Sequence, residues 1–186
     1  MIGALDLLGL SRAELRELLR QGHPIEASDL DDCCYRGVSL GLPAWVDRLS
    51  WKTFMKAFHR DPATGLLRGW NLRLEQDGVE APCRPQRRPD GSLLSFGHFE
   101  VVDPEQHSVP QGLGRGLLIH YGRGGNARLD PLQLLRDPIV ALQPGDPSLL
   151  LGWSYLDLGL ALPTPSYFSL ELVGPLGEPV RPPRAA

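Results

Sequence analysis

Histidine, cysteine and serine are the residue types through which this chain could carry out metal or nucleophilic chemistry. Its cysteines and histidines are scattered and lack the closely spaced pairs of a zinc site. A haem-binding barrel needs one axial histidine, which His98 or His120 could supply, although a histidine that is satisfied in the core or solvated is the favoured interpretation of each. Ser154 lies in Gly152-Trp153-Ser154, but the second glycine of a nucleophile elbow is missing. The sequence therefore predicts no metal, no cofactor and no serine hydrolase.

Acidic and glycine-rich segments offer two further possibilities. Asp29, Asp31 and Asp32 could bind a cation, but the ligand order and the glycine of an EF-hand are absent, which favours a solvated turn. The glycine-rich segments 112–116 and 122–125 could cradle phosphate. The first enters a predicted strand, and neither is followed by Gly-Lys-Ser/Thr, so both are interpreted as turns.

Composition narrows the class of protein. The 186 residues are 42% hydrophobic and 22% charged, which is typical of one globular domain. A net charge of -3 offers no general attraction to nucleic acid or to an anionic membrane. The apolar start of the chain lacks a basic n-region, which predicts neither a secretory signal nor a membrane span. Reduced cysteines and a cytoplasmic location are expected; the oligomeric state is not indicated.

The elements that must position any site are mostly strands. The stretch from Ser148 to Leu172 predicts a core hairpin, because apolar and aromatic residues alternate with period 2 on both of its arms. Further strands are predicted over 34–38, 66–74, 93–102 and 117–122. Residues 43–60 are ambiguous, since apolar spacings near three and four favour helical turns from Pro43 while a strand fits the end of the segment.

Two helices are predicted. Ser11 and Glu14 have capping-box spacing, and the leucines that follow form one apolar stripe, which indicates a helix over 11–21 closed by Gly22. This helix is expected to pack on a sheet or to plug the end of a barrel. A short helix should begin at Asp130-Pro131 and end near Arg136-Asp137-Pro138.

These elements predict a mainly β protein, an antiparallel calycin-like or lipocalin-like barrel with an N-terminal helix. The single domain should cover 1–173, and the proline-rich residues 174–186 should form a flexible tail. Leu66-Leu67-Arg68-Gly69-Trp70 is similar to Leu149-Leu150-Leu151-Gly152-Trp153, so the barrel is a candidate for construction from two related halves. Shared β-strand composition without duplication is the alternative.

The same segments resemble the GXWXG domain and the domain of unknown function that follows it in tandem. The first half carries Gly22-His23-Pro24-Ile25, Tyr35 and Phe58, Arg60, Asp61 and Gly65; the second carries GDPSLLLGWSYLDLG and Pro165 to Leu170. The naming Gly-x-Trp-x-Gly motif is absent upstream of Gly22. The resemblance implies a lipocalin-type or fatty-acid-binding-type barrel and carries over no catalytic residue.

The residues predicted to bind a ligand are aromatic and polar side chains on these strands. A closed sheet of about eight strands leaves room inside for one small molecule. Trp70, Trp153 and Tyr155 are candidates for its inner wall, or they fill the core. Polar contacts are expected from Arg68, His98, His120 and Tyr121, although some of these could face water.

Three functions are compatible with these features. The leading hypothesis is binding of a small hydrophobic or amphipathic molecule inside the barrel. The second is a cofactor-independent cyclase, isomerase or hydrolase in the same cavity, which requires a histidine or carboxylate of perturbed pKa at the cavity floor. The third is a protein-interaction module, which requires a large exposed apolar patch.

Overall fold

The computed structural model describes residues 3–41 and 52–184. They form a closed antiparallel barrel in which each strand pairs with the next along the chain and the last pairs with the first. The mainly β fold with a closed barrel is therefore confirmed. The strands are β1 (Cys33–Leu40), β2 (Thr53–Arg60), β3 (Leu67–Arg73), β4 (Ser95–Val102), β5 (Leu117–His120), β6 (Leu135–Gln143), β7 (Asp146–Asp157) and β8 (Ala161–Pro175).

One half of the barrel interior is a packed aromatic and aliphatic core. Phe58 is fully buried, and its ring lies 5.6 Å from that of Tyr35 and 5.5 Å from that of Phe99, both in edge contacts. Ile25 and Leu30, which precede β1, join this cluster and cover its end of the barrel. The interior is thus solid at the end where β1 begins.

The predicted N-terminal helix is α1 (Arg12–Gln21), and it packs on the outer surface of the barrel. Leu15 and Leu19 are fully buried in a cluster with outward-facing side chains of β1, β6, β7 and β8. Gly22 ends the helix where a Cβ atom would overlap the side chain of Val140. The sequence allowed this helix either to pack on a sheet or to plug the end of a barrel, and packing on the sheet is confirmed. Among the described residues, no helix is long and apolar enough to cross a membrane.

The capping box of α1 is present and gives a first prediction. Ser11 Oγ accepts a hydrogen bond from the Glu14 amide, and Glu14 Oε2 accepts one of 2.8 Å from the Ser11 amide. Ser11→Ala should lower the free energy of unfolding by about 1 kcal/mol, because it leaves an amide of the first turn without an acceptor. Urea denaturation measures the change. Ser11→Thr keeps a hydroxyl that can accept from the Glu14 amide and donate to Glu14 Oε2, as Ser11 does at 2.6 Å, and should lose less; equal losses would contradict the capping argument.

The structure decides one open assignment and corrects one predicted helix. The sequence leaves residues 43–60 open between helix and strand; Thr53–Arg60 is strand β2, the alternative that fitted the end of the segment, and residues 42–51 lie outside the described part of the chain. Met55 and Ala57 are buried on the outer face while Phe58 is buried inside, so apolar residues occur on both faces and mimic helical spacing. The predicted helix at Asp130 is a 3-10 turn, Pro131–Leu134, and β6 then runs through the Arg136-Asp137-Pro138 segment.

The two Leu-Gly-Trp segments lie in β3 and β7 and share a packing arrangement. Gly69 pairs with Phe99, and Gly152 pairs with Phe168. In each pair a Cβ atom on the glycine would overlap the phenylalanine ring, so only glycine fits. This common unit is what two related halves predict, although duplication itself stays a prediction.

The last residues run back along the barrel after β8 ends at Pro175, two residues beyond the predicted domain boundary. The Leu176 amide donates to the Asp32 carbonyl (2.6 Å), and the Arg184 amide donates to the Gly125 carbonyl (3.0 Å). The single domain over 1–173 and the flexibility of 174–186 stay predictions.

Candidate functional site

A cavity of about 350 Å³ occupies the barrel interior at the end opposite the packed core. It lies where odd-numbered strands finish and even-numbered strands begin, because antiparallel neighbours bring those termini to one rim. Its size is within the range of small-molecule sites. The lining residues are Ser39, Phe54, Lys56, Asn71, Phe96, Tyr121, Leu132, Leu135, Asp137, Ser154, Ser166 and Phe168.

A chain of three polar side chains lines the wall of this cavity. Lys56 Nζ donates a hydrogen bond of 2.8 Å to the Tyr121 hydroxyl, which donates one of 2.9 Å to Asp137 Oδ2. The lysine nitrogen lies 3.8 Å from the same carboxyl oxygen. Lys56 and Asp137 are only 1% and 2% exposed, so both ionisable groups are removed from solvent. β2 and β6, which carry them, are not neighbours in the sheet; they meet only because the barrel closes.

Aromatic rings surround the lysine nitrogen. Lys56 Nζ lies 4.8 Å from the centroid of Phe99, 5.3 Å from that of Tyr121 and 5.3 Å from that of Phe168. Phe54 lies 5.8 Å away. Ring faces attract a cation, and because the side chain is only 1% exposed they replace most of the water that would surround a surface ammonium. The amine is held in place and poorly hydrated.

Burial shifts the ionisation of all three groups. It lowers the pKa of Lys56 to about 8, and the Asp137 carboxyl only partly offsets that shift. Burial raises the pKa of Asp137, which the Lys56 ammonium opposes, and burial also raises the pKa of Tyr121. With a pKa of about 8, roughly a tenth of Lys56 is an uncharged amine at pH 7, far more than of an exposed lysine.

Asp137 also has an unused hydrogen-bonding position. Its Oδ1 atom is buried and makes no hydrogen bond of ordinary geometry among the described residues, although the nearby Ser154 hydroxyl helps to lower the pKa of the carboxyl. A buried carboxyl oxygen without a donor is destabilising by about 1–3 kcal/mol. A bound polar group at this point would satisfy it.

Of the two interpretations of Trp70, Trp153 and Tyr155, the inner wall is wrong, and the three side chains are instead buried in apolar clusters. In β7, Ser154 lines the cavity, so Trp153 and Tyr155 point outward, into the cluster beneath α1. The Trp153 indole donates to the Thr164 carbonyl (2.8 Å), and the Tyr155 hydroxyl donates to the Ser108 carbonyl (3.2 Å). Both side chains are buried between the outer face of the barrel and the segments that cover it, where they have a structural role.

Three of the predicted residues meet in a second depression, an outer groove of about 670 Å³ between β2–β4 and the C-terminal residues. Arg68, Trp70 and His98 all line it. Arg68 is already paired with Asp61 at 2.9 Å, while the buried Trp70 Nε1 has no acceptor among the described residues. If these three residues bind a ligand, they do so in this groove outside the barrel and not in the barrel interior.

The two remaining predicted residues, His120 and Tyr121, lie on opposite sides of the barrel wall. The His120 ring lies 5.1 Å from that of His107, outside the barrel, and burial lowers the pKa of His120 to about 4. Tyr121, the next residue, points inward and is the predicted residue that lines the cavity. Over residues 3–41 and 52–184 no group of three His, Cys, Asp or Glu side chains could hold a metal ion.

Sequence reasoning missed Lys56 and Asp137. The signal for Lys56 is its position between Phe54 and Phe58, because period 2 places all three on one face. A charged residue on a strand face shared with two phenylalanines indicates an inward-pointing polar group. Asp137 was hidden because residues around it were interpreted as the end of a helix.

The buried His98 should make stability depend on acid. Burial, helped by the Arg68 charge, lowers its pKa from 6.5 to about 4, so the folded state favours neutral imidazole. The unfolded state takes up the proton first as pH falls, and stability is lost between about pH 6.5 and 4. His98→Gln should remove up to about 3 kcal/mol of that loss. Urea denaturation at pH 7 and pH 4 tests this; equal pH-dependent losses in both proteins would contradict it.

Comparison of the chain with protein-family models, with curated proteins and with solved structures gives no match in any of the three.

Proposed function

We propose that the barrel binds a small amphipathic molecule in the inner cavity, with its polar end at Lys56. The observation that carries this proposal is the buried Lys56–Tyr121–Asp137 chain at the wall of a cavity that three phenylalanines and two leucines also line, with Asn71 and three serines as its other polar groups. Ligand sites typically combine an apolar lining with a few placed polar groups. Leu132, Leu135 and Phe168 would contact the apolar body.

The cavity limits the size of this ligand. A water molecule takes about 30 Å³ in the liquid, so a cavity of about 350 Å³ accommodates roughly a dozen non-hydrogen atoms. An eight-carbon chain with one polar group fits this limit. The ammonium of Lys56 donates and the free Asp137 Oδ1 accepts, so a carboxylate, alcohol or carbonyl group at the head could be hydrogen-bonded.

The test uses two leucines of the same 3-10 turn. Leu132 lines the cavity, whereas Leu134 is 41% exposed and does not line it. Octanoate and 1-octanol should bind the unmodified protein in isothermal titration calorimetry. Leu132→Trp should weaken binding at least about tenfold by filling the cavity, and Leu134→Trp should leave it unchanged. Equal affinity in the two variants, or no binding to the unmodified protein, would sink the proposal.

The outer groove supports ligand binding less well than the inner cavity does. Three ionisable side chains of the groove are already engaged: Arg68 pairs with Asp61, and His59 contacts Asp32 at 2.6 Å. An interaction module stays a prediction. The exposed Leu158 and Leu160 at the β7–β8 turn are the residues that would favour it.

We also propose a cytoplasmic location and a distant relationship to the GXWXG domain and its following domain. The first is supported by three cysteines without disulfide partners, as expected in a reducing compartment. The second is supported by the matching segment GDPSLLLGWSYLDLG, which coincides with β7 and its Gly152–Phe168 contact.

A further inference from the structure

Lys56 has the surroundings of a nucleophilic amine. Its nitrogen is fixed by the Tyr121 hydroxyl and enclosed by aromatic rings, and the residue lines a cavity that can admit a small molecule. Lysines in apolar pockets, partly uncharged near neutral pH, are the type that attacks carbonyl carbons. A purely structural Lys–Asp pair needs no adjoining cavity, yet this pair lines one.

The two neighbours of Lys56 can move the protons that such an attack requires. Tyr121 contacts the lysine nitrogen directly, and Asp137 contacts Tyr121. The unpartnered Asp137 Oδ1 is a second proton-accepting position at the same wall. Burial raises the pKa of this carboxyl, so it can hold a proton closer to neutrality than an exposed aspartate can.

We infer that Lys56 captures an aldehyde or ketone of about a dozen non-hydrogen atoms as an imine within the barrel cavity. This inference rests on the proposed function, because the carbonyl compound must first occupy the cavity. The chemical class follows from an amine nucleophile, an adjacent acid and base, and an apolar space for the rest of the molecule.

The reaction balances without a co-reactant. The nitrogen lone pair of neutral Lys56 attacks the carbonyl carbon, forming the C–N bond while the C=O electron pair moves to oxygen. The Tyr121–Asp137 pair transfers a proton from nitrogen to that oxygen, giving a carbinolamine. The same pair then protonates the hydroxyl, which leaves as water as the C=N bond forms, and it recovers the remaining nitrogen proton. The products are the imine and one water molecule.

The sequence makes the test clean, since Lys52 and Lys56 are the only lysines in the chain. The protein is incubated with octanal and cyanoborohydride, which reduces an imine to a stable secondary amine, and the adduct is located by peptide mass spectrometry. Lys52 does not line the cavity. One adduct on Lys56 is expected, formed at least tenfold faster than any on Lys52. It should persist in Lys52→Arg and disappear in Lys56→Arg.

Binding of 1-octanol, measured on the same preparation, separates this inference from the proposed function. Normal octanol binding with modification of Lys52 or the α-amino group in place of Lys56 would overturn imine formation and leave the binding proposal standing. Absence of both octanol binding and Lys56 modification would overturn both.

The role of Tyr121 has its own readout. Tyr121→Phe keeps the ring and removes the hydroxyl that contacts Lys56, so the trapping rate at saturating octanal should fall about tenfold or more. A merely structural tyrosine would change the octanal concentration needed for half-saturation and leave the saturating rate intact. That second result would overturn its part in proton transfer.

Discussion

Asp137→Leu should lower the free energy of unfolding by about 3–5 kcal/mol near pH 6, because it leaves the Lys56 ammonium buried without its carboxyl partner. The loss should be smaller near pH 9. Lys56 has a pKa of about 8 even beside Asp137, so above that pH it is largely uncharged and needs no counter-charge. Urea denaturation at both pH values gives the two losses.

Two controls distinguish the cost of an unpaired buried charge from a nonspecific loss of stability caused by the substitution. Asp31→Leu removes the partner of Arg60 from an ion pair whose side chains are 36% and 32% exposed, and it should change stability by less than about 1 kcal/mol. Lys56→Met combined with Asp137→Leu removes both charges and should recover much of the stability lost by Asp137→Leu alone. The charge argument would be refuted by a double variant as unstable as the single one at pH 6.

Phe58→Ala should lower the free energy of unfolding by about 3–5 kcal/mol. Phe58 is fully buried and contacts the rings of Tyr35 and Phe99, so truncation removes apolar burial and leaves a hole that the surrounding strands cannot close. Equilibrium unfolding in urea measures the loss. Leu129, which is 95% exposed, supplies the control, and Leu129→Ala should stay within about 0.5 kcal/mol. Similar effects of the two changes would contradict a packed core at this end of the barrel.

Period-2 alternation predicted the strands and the closed barrel well, and it failed to tell which face points inward. The alternation correctly grouped Leu151, Trp153 and Tyr155 on one face of β7. That face is as apolar as an interior face because α1 covers it, so hydrophobicity alone cannot distinguish the two. Trp70 was misplaced for a similar reason, since its outer face is covered by Leu176 and Val180 near the C-terminus.

The candidate site was harder to predict than the fold because it depends on barrel closure. Tyr121 was identified as a polar residue on or beside a strand, but its partners lie on β2 and β6 and come together only across the interior. Local sequence patterns do not show which side chains of distant strands will contact each other across a closed barrel. The sequence contained one indication, the position of Lys56 between Phe54 and Phe58. That indication can be used only if Thr53–Arg60 is assigned as a strand, because period 2 then puts all three side chains on one face.

The outer position of α1 determines how a molecule can reach Lys56. Because β1 pairs with β8, the sheet has no open edge through which a molecule could pass. The helix also packs on the outer face of β6, β7 and β8 and covers that part of the wall. Within residues 3–41 and 52–184, a molecule therefore reaches the amine along the barrel axis, through the end opposite the packed core. Leu132, in the 3-10 turn Pro131–Leu134, lines the cavity, so a ligand that enters from this end contacts a short 3-10 segment as well as strands.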